Sequence, residues 1–172
     1  SYKLKPIQDE RRNVTTNLAL GTDHAGFPLA VELRLWLNEQ NCNINDLGAY
    51  EFDSSDDYPD FAKLVGENVA SGVSDKGLIV CGSGVGACIA ANKVLGVRAG
   101  ICHDVYSAHQ GVEHDDMNVL CLGARIIGIE VAKEIISAFL IASFSGEDRH
   151  QRRLQKLLAI ETQSLNRDNE IS

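Results

Sequence analysis

The sequence predicts an α/β domain, a five-stranded parallel sheet flanked by helices in three layers. Three observations carry this expectation. Short apolar runs such as Gly77-Leu78-Ile79-Val80 and Val119-Leu120-Cys121-Leu122 have the composition of strands buried on both faces. These runs alternate with stretches of helical periodicity, an order that implies parallel strands joined by right-handed crossovers. The chain has 172 residues, 44% hydrophobic and 23% charged, which suits one globular domain with a real core.

Ser1–Thr16 is polar and charged, lacks the layout of a signal peptide, and is expected to be a flexible extension. A single domain is expected over residues 17–163, with a frayed tail over 164–172. Asn17–Thr22 reads as the first strand and ends in the polar cluster Asp23-His24-Ala25-Gly26. Leu29, Leu33, Trp36 and Leu37 recur at helical spacing. Asn41-Cys42-Asn43 is expected to turn, and Ile44–Leu47 to form a short second strand ended by Gly48. The acidic stretch Tyr50–Asp60 reads mainly as a solvated loop. Its last residues, Asp57-Tyr58-Pro59-Asp60, open a helix: proline suits the first turn and aspartate the positive end of the helix dipole. Phe61, Leu64, Val65 and Val69 then mark its apolar positions.

The third strand runs into Cys81-Gly82-Ser83-Gly84-Val85-Gly86, followed by an Ala/Ile-rich helix. Val97–Cys102 reads as the fourth strand, closed by His103-Asp104. A helix from about Val105 to Val112 and a polar loop over Glu113–Met117 are expected next. After the fifth strand come Gly123-Ala124-Arg125, a helix over Glu130–Phe144 and a last helix from Asp148 to about Gln163.

In parallel α/β sheets the ligand site lies outside the carboxyl ends of the strands. That rule gathers Asp23, His24, Cys81 to Gly86, His103, Asp104 and Gly123 to Arg125. It leaves His114 unplaced, since the loop before strand five starts nearer the other edge. At Cys81 to Gly86, three glycines permit a sharp turn and close approach of a ligand to the main chain. The first N–H groups of the following helix can receive an anion, or charge that develops in a reaction. Cys81 at the mouth is a candidate nucleophile or base; buried cysteines are also commonly inert. The motif lacks the Lys-Ser/Thr ending of a P-loop and the spacing of a dinucleotide fingerprint.

A thiol with an imidazole suits acyl transfer or proton transfer beside a carbonyl. Arg149 and Arg153, four apart in a basic cluster of an acidic protein, share one helix face. They form either a fork for a phosphate or a solvated surface. The net charge of −8 argues against nucleic acid as a partner. No run of about 18 apolar residues predicts a membrane span. The five cysteines show no Cys-x-x-Cys pair, and reduced thiols in a cytoplasmic protein account for them. No metal site is expected, as no His-x-x-x-His or Cys–His spacing supports one.

Seven ordered blocks then sharpen the reading. They are Gly21-Thr22-Asp23-His24-Ala25-Gly26-Phe27, Asp57-Tyr58-Pro59-Asp60-Phe61-Ala62, Cys81–Gly86, Ala90-Ala91-Asn92-Lys93, Cys102-His103-Asp104, Asn118–Gly123 and Arg149-His150-Gln151-Arg152-Arg153. Together they resemble the type B ribose-5-phosphate isomerases, in the family that includes bacterial galactose-6-phosphate isomerase subunits, from about Leu18 to Glu161. The resemblance implies a Rossmann-like domain with strand order 2-1-3-5-4. It also implies an aldose–ketose isomerase without cofactor, interconverting ribose 5-phosphate and ribulose 5-phosphate through a cis-enediolate. Cys81 matches the base, and His114 the histidine that opens the sugar ring. Ser83 with the backbone of Gly82, Gly84, Val85 and Gly86 matches the anion hole. Asp23 and Tyr58 match residues near the sugar. His24, Arg125, Arg149 and Arg153 match the phosphate set. A homodimer with shared sites, or a tetramer containing it, is implied as well. One departure stands out: Asp115 replaces the asparagine usual after the ring-opening histidine, and an ionised carboxylate cannot donate a hydrogen bond as an amide can. Two other readings remain open, an isomerase of galactose or allose 6-phosphate and a phosphosugar-binding module without catalysis. Cys81 together with His114 favours catalysis.

Overall fold

The computed structural model describes residues 15–40 and 42–170. Its parallel sheet has five strands, β1 (Thr16–Thr22), β2 (Cys42–Asp46), β3 (Lys76–Cys81), β4 (Ala99–Ile101) and β5 (Val119–Gly123). Six helices interleave with them: α1 (Phe27–Asn38), α2 (Tyr58–Ala70), α3 (Val85–Ala91), α4 (Val105–Asp115), α5 (Ile129–Ile141) and α6 (Asp148–Glu170). The order across the sheet is β2-β1-β3-β5-β4, as the resemblance implied.

Alternation along the central strands builds two cores. Leu18, Leu20, Leu78, Val80, Leu120 and Leu122 face α1, α4 and α5, against Leu33, Val112, Ile135, Ile136 and Phe139. Ala19, Ile79, Cys81, Val119 and Cys121 face the other way, onto Ala62, Val65 and Val69 of α2 and Ala87 and Ala91 of α3. Successive residues of a strand point to opposite faces, so an apolar run with no polar members fills both layers. The side toward α2 and α3 is built from smaller residues, and the helices come close: a methyl group on Gly77 would sit 2.7 Å from Val65 Cγ1. Cys81 thus ends a strand in which Gly77 to Val80 are buried, and that fixes its sulfur in place.

Several boundaries differ from the sequence expectation, each for a local reason. Cys42 and Asn43 belong to β2 rather than to a turn, because they pair with Thr16 and Asn17; β1 correspondingly begins at Thr16. The expected fourth strand shortens to Ala99–Ile101, as the Arg98 N–H donates to the Asn118 side chain at 2.7 Å instead of to a strand. Residues 113–115, expected in a loop, form the last turn of α4. That helix ends one residue later at Asp116, which takes the left-handed conformation (φ 52°). Arg98 holds it there, Nε donating to the Asp116 carbonyl and Nη2 to its carboxylate, each at 2.7 Å. The last helix runs on to Glu170 instead of ending near Gln163. The rest of the expected extension, and the end of the expected tail, lie outside the described residues. Among the described residues, no helix is long and apolar enough to cross a membrane.

Helix α5 ends at Ile141 rather than at Phe144, and Lys76 explains where. Its Nζ donates to the carbonyls of Phe139, Leu140 and Ala142 at 2.6, 3.3 and 2.8 Å and lies 4.8 Å from the centre of the Phe139 ring. Carbonyls at a helix end lack intrahelical partners, and here one ammonium serves three of them. Lys76→Met is expected to leave these groups unsatisfied and lower the unfolding free energy by roughly 1–3 kcal/mol. Urea denaturation of the two proteins checks this, and an unchanged midpoint would contradict it.

Candidate active site

The carboxyl ends of β1, β3 and β5 converge on one cleft of about 380 Å³. Asp23, His24, Tyr58, Cys81, Gly82, Ser83, Gly86 and Arg125 line it, with Ala25 and Ile126. Eight of the residues singled out from sequence therefore meet in one place, from four separate segments.

The floor is the turn after β3. Cys81 is 5% exposed, and its Sγ accepts the Gly84 N–H at 3.1 Å. Gly84 itself has φ 83°, a left-handed conformation that lets the chain enter α3 directly. The Val85 N–H donates to Ser83 Oγ at 3.3 Å. Two amides of the turn therefore have partners inside it, while the helical pattern leaves the amides of Gly86 and Ala87 without intrahelical acceptors. The β5 end braces the turn: Ala124 N–H donates to the Cys81 carbonyl at 2.8 Å and Arg125 N–H to the Gly82 carbonyl at 3.0 Å. The Arg125 guanidinium lies over Gly82, where an added methyl would sit 3.5 Å from Nη1.

The walls come from β1 and α2. Asp23 is buried, and its Oδ1 accepts the Gly26 N–H at 2.9 Å, which fixes the turn into α1. Gly26 has no room for a side chain, since a methyl would sit 2.1 Å from the Val80 carbonyl oxygen. The Tyr58 ring packs on the backbone of Gly86, where a methyl would lie 2.6 Å from Cζ. His24 Nδ1 lies 2.6 Å from Asp56 Oδ1. That bond, more than any other contact, raises the His24 pKa above the usual histidine value, with Asp23 adding to the effect and burial and Arg125 opposing it.

His103 and Asp104 also sit at this edge, and both have structural work. His103 Nε2 accepts the Gly123 N–H at 2.9 Å. Asp104 caps α4 by accepting the Ser107 N–H at 2.7 Å, and that bond holds its carboxyl below the usual aspartate value.

The remaining candidates are elsewhere. His114, Asp115, Arg149 and Arg153 do not line this cleft. Helix α4 starts at the carboxyl edge of β4 and runs 11 residues, about 16 Å, back toward the start of β5. His114 in its last turn is thereby carried to the opposite edge of the sheet from Cys81. There its ring stacks on that of His150, 4.0 Å between centroids, and Gln110 Nε2 lies 2.9 Å from His114 Nδ1. His150 is 1% exposed and its Nδ1 lies 2.6 Å from Ser145 Oγ; burial and the neighbouring His114 lower its pKa. Asp115 borders a separate cavity of about 830 Å³ between β4, α4 and α6, with Arg98, Met117 and Leu157. On α6, Arg149 Nε donates to Glu147 at 2.9 Å. The residues expected from sequence thus fall into two groups at opposite edges of the sheet.

Sequence reasoning passed over Asp56, one of five acidic residues in its stretch. Nothing in that spacing marks which carboxylate turns inward.

A buried thiol on a glycine turn, with an imidazole, a tyrosine and a guanidinium around a cleft at the carboxyl edge of a parallel sheet, defines an α/β protein equipped for acid–base chemistry on a small anionic molecule. The chain belongs to the Ribose/Galactose Isomerase family, whose profile matches residues 18–157. It is 43% identical to ribose-5-phosphate isomerase B of Escherichia coli (strain K12) over 144 residues, covering 84% of this chain and 95% of the relative. The type B ribose 5-phosphate isomerase of Trypanosoma cruzi superposes with a TM-score of 0.83 at 44% identity, over 88% of this chain and 99% of that one. The ribose-5-phosphate isomerase B of Mycoplasma genitalium, solved with bound ribulose 5-phosphate, gives 0.80 at 41% identity, over 85% of this chain and 96% of that one.

Proposed function

We propose that the protein is an aldose–ketose isomerase that interconverts ribose 5-phosphate and ribulose 5-phosphate, with Cys81 as the base. The observation that carries this is the buried Sγ at the head of a cleft that also holds His24 and Arg125. The family and the activity named for its relatives support the reading.

The chemistry follows from the residues. The furanose must open before C2 can lose its proton, and His114 is assigned that proton transfer at the ring oxygen. The Cys81 thiolate then takes the proton from C2 of the open-chain aldose. The electron pair moves onto the C1 carbonyl oxygen and gives a cis-enediolate. Donors from Ser83 and from the Gly82–Gly86 turn, where the Gly86 amide has no intrahelical acceptor, hold the negative oxygen, which is worth most in a preorganised, partly buried site. Proton transfer between O1 and O2 and return of the thiol proton to C1 yield the ketose. Asp23 and Tyr58 flank the sugar. His24 and Arg125 receive its phosphate, together with Arg149 and Arg153.

That scheme needs both groups at one site, and one chain holds Cys81 and His114 at opposite edges of the sheet. We infer a homodimer in which the α4 and α6 ends of one copy, with His114, Asp115, Arg149 and Arg153, complete the Cys81 cleft of the other; a tetramer would pair two such dimers. The five cysteines are unpaired in the structure and suit a reducing, cytoplasmic compartment.

The experiment is turnover of ribose 5-phosphate by the purified protein with chelator present, beside galactose 6-phosphate and allose 6-phosphate. Activity on the pentose above the hexoses is expected. Turnover of a hexose phosphate alone would move the assignment to that sugar, and binding without any turnover would overturn the enzymatic reading.

A further inference from the structure

Within the acidic stretch 51–60, Asp56 is the one residue that is not exposed. Its side chain is only 10% accessible, beside a His24 side chain at 31%. A single oxygen, Oδ1, accepts from the His24 main-chain N–H at 3.0 Å and meets the His24 ring at 2.6 Å. The other oxygen, Oδ2, is buried and has no hydrogen-bond partner among the described residues. A carboxylate taken this far out of water is costly unless a cation faces it. His24 meets it with both backbone and side chain. The arrangement therefore fixes the position of His24 at the end of β1 and its ring orientation at once. With Nδ1 committed to Asp56, Nε2 is the nitrogen that the ring can present to the cleft.

We propose that Asp56 is a positioning residue that clamps His24 as an oriented cation for the substrate phosphate. The proposal rests on the reading that His24 belongs to the phosphate set. Asp56 is outside the cleft lining, so it acts through His24 and not on the sugar. The other groups that bear on the ring are Asp23, which also favours the imidazolium, Arg125, which opposes it, and Asp53, whose own carboxyl is lowered chiefly by hydrogen bonds from Ser55 and to a lesser degree by His24. The Phe52 ring packs edge-on against His24, 6.2 Å between centroids, and shields one side of the pair. Asp56→Asn keeps the size of the side chain and an acceptor for the His24 N–H, removes the charge and puts an amide N–H donor group in place of one carboxylate oxygen.

The test compares Asp56→Asn, His24→Asn and the double variant, by KM and kcat for ribose 5-phosphate from neutral to alkaline pH. It is paired with NMR titration of the His24 ring in the free protein. Asp56→Asn is expected to raise KM about tenfold at alkaline pH, with the loss carried by KM and not by kcat. The alkaline fall of kcat/KM is expected to move to lower pH, in step with the His24 titration. The sign follows from the clamp: a ring whose pKa is raised keeps its charge to higher pH, and removing the carboxylate returns that range. In the His24→Asn background the same substitution is expected to add nothing. An unchanged pH profile and His24 titration in Asp56→Asn would overturn the clamp, as would an equal rise in KM without His24. If His24→Asn leaves KM unaltered, the phosphate role of His24 fails and the proposal with it. If His24→Asn raises KM while Asp56→Asn is silent, the clamp alone fails.

Discussion

Replacing Cys81 with alanine is expected to lower kcat for ribose 5-phosphate by about 10²–10⁴-fold, the range that a positioned proton-transfer group supplies, while the sugar phosphate still binds. Cys81 lines the cleft, but the contacts assigned to the phosphate and hydroxyls come from His24, Arg125, Tyr58 and Asp23 in the same cleft, with Arg149 and Arg153. The fold is expected to tolerate the change. Cys81 ends its strand, and its carbonyl keeps the bond from the Ala124 amide whatever the side chain. Alanine at this position removes the sulfur that accepts the Gly84 N–H. Steady-state kinetics with calorimetric binding of ribose 5-phosphate separates the two effects. Normal turnover in Cys81→Ala would remove the thiol from the mechanism, and loss of binding with turnover would show that the sulfur shapes the pocket instead.

The second large effect concerns the partition of the site. Cys81→Ala and His114→Ala are each expected to be nearly inactive alone. Mixed, unfolded and refolded together, they are expected to regain about a quarter of wild-type activity. Random pairing gives about half heterodimers, and each of these has one intact site and one lacking both groups. The expectation follows from topology: α4 must run antiparallel to β4 and β5 to reconnect them, so His114 near its end cannot lie at the edge where Cys81 ends β3. Recovery is possible only if the two side chains come from different copies. No recovery in a mixture shown to contain heterodimers would place both groups in one chain and contradict the shared site.

Most of the fold was legible because the three central strands, β1, β3 and β5, are apolar on both faces. Leu18 and Leu20 pack on one side and Ala19 on the other, and no polar residue interrupts the run. The cleft was legible for a related reason: in a parallel sheet the loops after Thr22, Cys81 and Gly123 must come together, whatever the strand order. Strand order itself leaves no mark on local periodicity and came only through the resemblance. The end of α4 was not legible either, because a helix that carries Gly111 and then Glu113, His114 and Asp115 has the composition of a loop. Its last turn depends on Arg98, distant in sequence, which holds Asp116 in a left-handed conformation. Lys76 and Asp56 are hidden in the same way. Each is a charged residue among others, and only the tertiary structure turns one onto three helix carbonyls and the other onto His24.

The central claim is that a proton leaves C2 to the Cys81 thiolate and returns to C1. The most direct measurement is isomerisation of ribose 5-phosphate in deuterium oxide, with chelator present, followed by NMR of the ribulose 5-phosphate formed. Deuterium from solvent at C1, appearing with the wild-type protein and lost with Cys81→Ala, is the result expected. Isomerisation at the wild-type rate in Cys81→Ala, with or without deuterium at C1, would contradict it.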